Sequence, residues 1–140
     1  MTLKSYKGKK PIISNYYIKP MTKELSFTIS ERVAISKILN EFKGTLTVLA
    51  ILLDDIKKIA ITPEEWEKAG LKKTPVLDAQ GTPTGQENWN WNDGVEGLNK
   101  TVELNSETTL FLLNEIKAKE DKKEITMADI SLITLKAKLV

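Results

Sequence analysis

Trp89 and Trp91 stand in an alternating run, Glu87-Asn88-Trp89-Asn90-Trp91-Asn92, and are the side chains of this chain best suited to gripping another surface. Tryptophan joins a large apolar ring to one N–H donor, and it concentrates at the centres of binding interfaces for that reason. The same spacing has a second use, because two rings on one face of a strand can equally roof a core of helices while the Asn side chains face the other way. Both readings stay open on the sequence. Tyr16 and Tyr17, set among lysines, offer rings to a protein partner or for stacking on single-stranded bases. Lys4, Lys7, Lys9 and Lys10 are the phosphate contacts that a nucleic-acid reading would use.

Composition closes the cysteine and histidine chemistries and leaves carboxylate, lysine and tyrosine chemistry open. The chain has no cysteine and no histidine. It therefore lacks disulfides, thiolate nucleophiles, thiolate metal sites, the usual general base at neutral pH and the commonest transition-metal ligand. Asp54 and Asp55 are adjacent, so on a helix they diverge by about 100° and form no ready acid/base pair; solvation of a helix surface is the expected role. Asn88, Asn90 and Asn92 resemble the start of a calcium loop, but Asp93 takes the place of its glycine and Asn99 that of its closing glutamate. The glycines at 81, 85, 94 and 97 lack the lysine and helix context of a phosphate-binding loop. No catalytic residue, metal or cofactor is expected.

The elements that must position these residues belong to one domain, since 140 residues suffice for a single hydrophobic core. Residues 1–23 hold six Lys and no acid and are broken by Gly8, Pro11 and Pro20, which marks a basic extended arm. The remaining 24–140 carry fifteen basic and nineteen acidic side chains. An acidic body with one arginine, Arg32, is a poor nucleic-acid surface, so any such contact falls to the arm. Neither Ile12-Ile13 nor the apolar run at 46–53 is long enough for a signal core or a membrane span, and a cytoplasmic protein is expected.

Within 24–140 the pattern predicts an α+β fold, a small antiparallel sheet packed with helical hairpins. Leu25, Phe27 and Ile29 alternate as in a half-buried strand. A helix over 31–42 follows, capped by Ser30. The stretch 45–59 is apolar nearly all round and is the expected enclosed, central helix. Thr62-Pro63-Glu64-Glu65 reads as a capping box opening a short helix that bears Trp66. A turn-rich insertion at about 71–99 contains the tryptophan strand, with 100–104 as the strand returning beside it. Helices from Ser106 and from the second capping box, Thr126-Met127-Ala128-Asp129, complete the chain.

The two ends of the body look alike. Ile38-Leu39-Asn40-Glu41-Phe42-Lys43 matches Leu112-Leu113-Asn114-Glu115-Ile116-Lys117, and strand, helix, helix occurs around each. If the units are repeats, strands 25–29 and 100–104 lie side by side near a pseudo-two-fold axis.

The closing run from Ile125 to Leu139, the 62–70 helix and the tryptophan strand together resemble small bacteriophage and prophage accessory proteins. The resemblance carries no functional residue; it implies a protein that acts on a host component by stoichiometric binding. The expectation is a noncatalytic protein-binding module, a phage-encoded inhibitor or counter-defence protein, that uses Trp89, Trp91, Tyr16 and Tyr17. Its alternatives are a nucleic-acid-binding accessory protein and a binder of a small anionic ligand. Monomer and homodimer are both compatible with the sequence, and no membrane association is expected.

Overall fold

A computed structural model describes residues 24–140. Among them are five α-helices and two antiparallel strand pairs, so the chain is α+β. The order is β1 (Glu24–Phe27), α1 (Ile29–Leu39), α2 (Leu46–Ile59), α3 (Pro63–Lys68), β2 (Lys72–Leu77), β3 (Pro83–Asn90), β4 (Lys100–Glu103), α4 (Ser106–Asp121), a 3₁₀ turn (Met127–Asp129) and α5 (Ser131–Leu139).

Capping chemistry sets where the helices begin. Thr28 caps α1, two residues before the expected Ser30. Thr28 has a glutamate three residues on, so its hydroxyl accepts from Glu31 N while the Glu31 carboxylate accepts from Thr28 N. Ser30 is followed at that distance by Val33 and has no such return bond. Thr62 with Glu65 and Thr126 with Asp129 close the two boxes expected from the sequence.

Strand, helix, helix does occur twice, as β1-α1-α2 and β4-α4-α5. β1 and β4 pair antiparallel with Leu25 opposite Val102, and each of those residues lies three positions before its helix cap, Thr28 or Asn105. A pseudo-two-fold axis therefore runs through the Leu25–Val102 pair. Counting from the caps matches buried Ile35 to Leu112 and Leu39 to Ile116. In the second helices the buried pairs Leu52 and Ile59, and Leu132 and Leu139, share the same spacing of seven residues. These eight residues and Phe27 form most of the main core, each worth about 1.5–3 kcal/mol of burial. The hexapeptides that look alike in sequence are one helical turn away from this structural match.

Two expectations are corrected. Helix α2 is not enclosed: only Leu52, Asp55 and Ile59 are buried, and Leu46 is 83% exposed. It packs on α1 and α4 from one side only, whereas α1, with six buried residues, lies between α2 and α5. Nor does β4 return beside the tryptophan strand. β3 pairs instead with β2, which the sequence reading did not anticipate because Lys72, Lys73 and Pro75 hide its alternation. The resulting hairpin has a bulge between Pro75 and Leu77, and every residue of β3 is exposed.

Candidate functional site

The tryptophans are placed by a chain of contacts that starts in the core at Arg32. Its side chain is buried and its donors are answered: Nε donates to Ile59 O at 3.0 Å, Nη2 to Ala60 O at 2.6 Å, and both terminal nitrogens to the Glu65 carboxylate at 2.9 Å. A two-pronged pair of this kind fixes orientation as well as distance. The Arg32 guanidinium accordingly holds the Glu65 carboxyl down from 4.5 to about 2, against a smaller opposing effect of burial. Glu65 also accepts from Thr62 N, so one carboxylate both caps α3 and ties it to α1.

Trp66 is the next residue, and its ring is the hub of the site. Trp89 meets it edge-on with centroids 5.6 Å apart, and Trp91 does so at 5.3 Å. Both are edge-to-face, a geometry that the ring quadrupole favours. The rings of 89 and 91 thus share a side, as the alternation predicts, yet their surroundings differ. Trp91 is half-buried, next to a small second core of Ile29, Ala69 and Leu98, and its Nε1 donates to Ser30 Oγ at 3.0 Å and Asp93 Oδ1 at 3.1 Å. Trp89, on the hairpin, is 44% exposed, with Lys73 Nζ 4.4 Å from its ring centroid. One tryptophan roofs a core; the other faces outward.

The sequence reading missed the hub because Trp66 was noted only as a passenger on α3. It also treated Arg32 as an argument against nucleic acid, while the structure makes it a buried anchor. Asp55 is a further correction. It is buried rather than solvated, accepting from Asn105 N at 2.9 Å and Asn105 Nδ2 at 3.1 Å, and it pairs with Lys58 at 2.9 Å. Hydrogen bonding to Asp55 raises the Lys58 pKa above its usual value. Tyr16, Tyr17, Lys4, Lys7, Lys9 and Lys10 lie outside the described residues, as does the whole arm of 1–23.

The recess of about 230 Å³ between α1 and the start of α5 sets Glu41 and Asp129 beside Lys37 and Lys119, so its charges cancel. Among the described residues no three Asp, Glu, His or Cys side chains come together as metal ligands, and no helix is long and apolar enough to cross a membrane. Compared with known protein families, with curated proteins and with solved structures, the chain matches none of them.

Proposed function

We propose that this chain is a noncatalytic protein-binding module whose contact surface is the β2–β3 hairpin, with Trp89 as its anchor. The observation that supports this most is the exposure of all eight residues of β3 on a hairpin whose base is held by three tryptophans packed edge to face. Such a hairpin adds little to core burial. A preorganised loop presenting one outward ring is, however, what reduces the ordering cost of association. Two strands standing alone also leave free edges that an extended segment can join, and Pro75 blunts the β2 edge more than β3. On the sequence resemblance, the reading extends to a phage-encoded accessory protein that binds a host component stoichiometrically.

The test is capture of a partner from bacterial lysate, with and without nuclease treatment, by the full chain and by Trp89→Ala. Trp89 is preferable to Trp91, whose loss would also strip Ser30 and Asp93 of a donor. The expected result is a stoichiometric protein partner retained by the parent and lost from a variant with unchanged circular dichroism. Capture that survives Trp89→Ala would remove the hairpin from the reading, and nuclease-sensitive capture would favour the basic arm and nucleic acid.

A further inference from the structure

The two strand pairs differ at their backbones. On β1 and β4 a lysine from a helix sits on a strand carbonyl: Lys138 Nζ donates to Ser26 O and Lys58 Nζ to Glu103 O, both at 2.8 Å. The two contacts are mates under the pseudo-two-fold, since Ser26 follows Leu25 as Glu103 follows Val102. Lysines placed in this way guard a sheet against further strands. Among the described residues no side chain from another element bonds to the backbone of β3, and every residue of that strand is exposed. Its free edge can be read residue by residue. Pro75 has no N–H and stands opposite Glu87, so this pair and the Lys73–Trp89 pair two places on are those whose backbone groups point away from each other. Glu87 and Trp89 therefore each offer an N–H and a C=O to a further strand, with their side chains on one face.

We propose that the strand added there is β3 of a second copy, paired antiparallel about a two-fold axis beside Asn88, so that Glu87 of each copy faces Trp89 of the other. Outward-facing residues must meet outward-facing ones, which leaves few registers. Glu87 against itself opposes two carboxylates. Trp89 against Pro83 lacks a donor. Glu87 against Trp91 runs past the end of the strand, where Asn92 N already donates to Ala69 O. In the remaining register the charges meet. Lys73 Nζ stands 4.4 Å from the Trp89 ring centroid and has no acid of its own among the described residues. Glu87 likewise has no cation there, and its carboxylate accepts from Trp89 Nε1 at 3.4 Å. The partner subunit's Glu87 enters beside that ring and supplies Lys73 with a carboxylate, and the two-fold makes the contact twice. Pairing uses the edge alone, so the face bearing Trp89 stays free for the partner proposed above.

Sedimentation equilibrium of the full chain over a concentration series, with amide exchange on the same samples, tests this. The mass should rise from 15.7 kDa towards its double, and the Glu87 and Trp89 amides should gain protection as it does. Glu87→Pro removes a donor that no bond inside the hairpin uses, so the circular dichroism should hold while the dimer is lost. Glu87→Lys should weaken dimerisation by about tenfold, because each lost pair counts twice, and the Lys73→Glu/Glu87→Lys exchange should restore it. None of these readouts depends on capture of another protein, so the dimer and the function proposed above fail separately. A mass of 15.7 kDa at every concentration, a dimer indifferent to Glu87→Pro, or a dimer lost in Ile133→Lys, which alters an exposed residue of α5, would each overturn the proposal.

Discussion

The helical body and the β2–β3 hairpin treat their side chains in opposite ways. In the body most buried polar groups are answered: Arg32 by Glu65 and three carbonyls, Asp55 by Asn105 and Lys58, Glu31 by Thr28 N, Thr134 and Lys138, with the buried Thr108 hydroxyl on α4 as an exception. In the hairpin the reverse holds, with Leu77 and Trp89 exposed and the side-chain hydrogen bonds mostly at the surface. Buried polar groups with partners of fixed geometry favour a body with a single arrangement. An exposed hairpin can change sequence without disturbing it. The contrast places the buried, stabilising groups in one region, and the function proposed above would place recognition in the other.

The sharpest break of that contrast comes at Arg32. Arg32→Ala leaves the Glu65 carboxylate and the Ile59 and Ala60 carbonyls without their donor, and losing one partner of a buried pair costs about 3–5 kcal/mol. The urea midpoint should fall steeply. Because Glu65 precedes Trp66, near-ultraviolet dichroism from the tryptophan cluster should fall with it. Asp55→Ala comes next at about 2 kcal/mol, since the N–H and side-chain amide of Asn105 lose their acceptor at the start of α4. Retention of full stability in either variant would show that the body does not depend on its buried polar pairs.

Acid acts on the same groups with a defined sign. A carboxyl held at about 2 in the folded chain, against 4.5 ordinarily, binds its proton more readily when unfolded. Its stabilisation is complete above 4.5 and declines as pH falls towards 2. Glu31 adds to this in the same direction: burial opposes its ionisation, but bonds from Lys138, Thr134 and Thr28 N outweigh burial and lower its pKa. The loss from Glu65 should be on the order of 2 kcal/mol after solvent screening of its partly exposed pair, with Glu31 adding in the same direction. Thermal melts at stepwise lower pH should show it, and Glu65→Gln should flatten the dependence. A melting temperature that held steady across that range would contradict both assignments.

Much of the body was legible because its signals are local. Capping boxes at Thr62 and Thr126 need only residues three apart, and the period of Leu25 and Phe27 is visible within one strand. The pairing of β1 with β4 was legible through the repeat, although the hexapeptides chosen to align it were a turn out of place. A slip of three residues rotates a helix by only about 60° from coincidence, so an apolar stripe overlaps itself in either alignment. What stayed hidden depends on partners distant in sequence. Asp55 looks solvated until Asn105 is seen beside it, and Arg32 looks like a surface cation until α2 ends against it. Trp66, the hub, gave no sign, because one tryptophan on a six-residue helix has no period to reveal its face.

The smallest effect separates the two regions most cleanly, since it uses one substitution twice. Gly70 ends α3 with φ +69° and Gly81 turns the hairpin with φ +81°; an added Cβ meets nothing within 4 Å at either position. Alanine therefore brings the same backbone strain to both, about 1 kcal/mol. At Gly70 the strained turn carries the Leu71 N–H to Trp66 O bond and adjoins buried Ala69, so the cost belongs to the cooperative unit. At Gly81 it falls on a turn held by the Asp78 carboxylate, which accepts from Gln80 N and Thr82 N, far from the buried residues. Gly70→Ala should lower the global urea midpoint by that amount. Gly81→Ala should leave the midpoint within about 0.5 kcal/mol and show only as faster amide exchange in β2 and β3, because a region outside the core opens without unfolding it. Equal falls in the midpoint would mean that the hairpin unfolds with the body, and that recognition and stability are not divided as the burial pattern divides them.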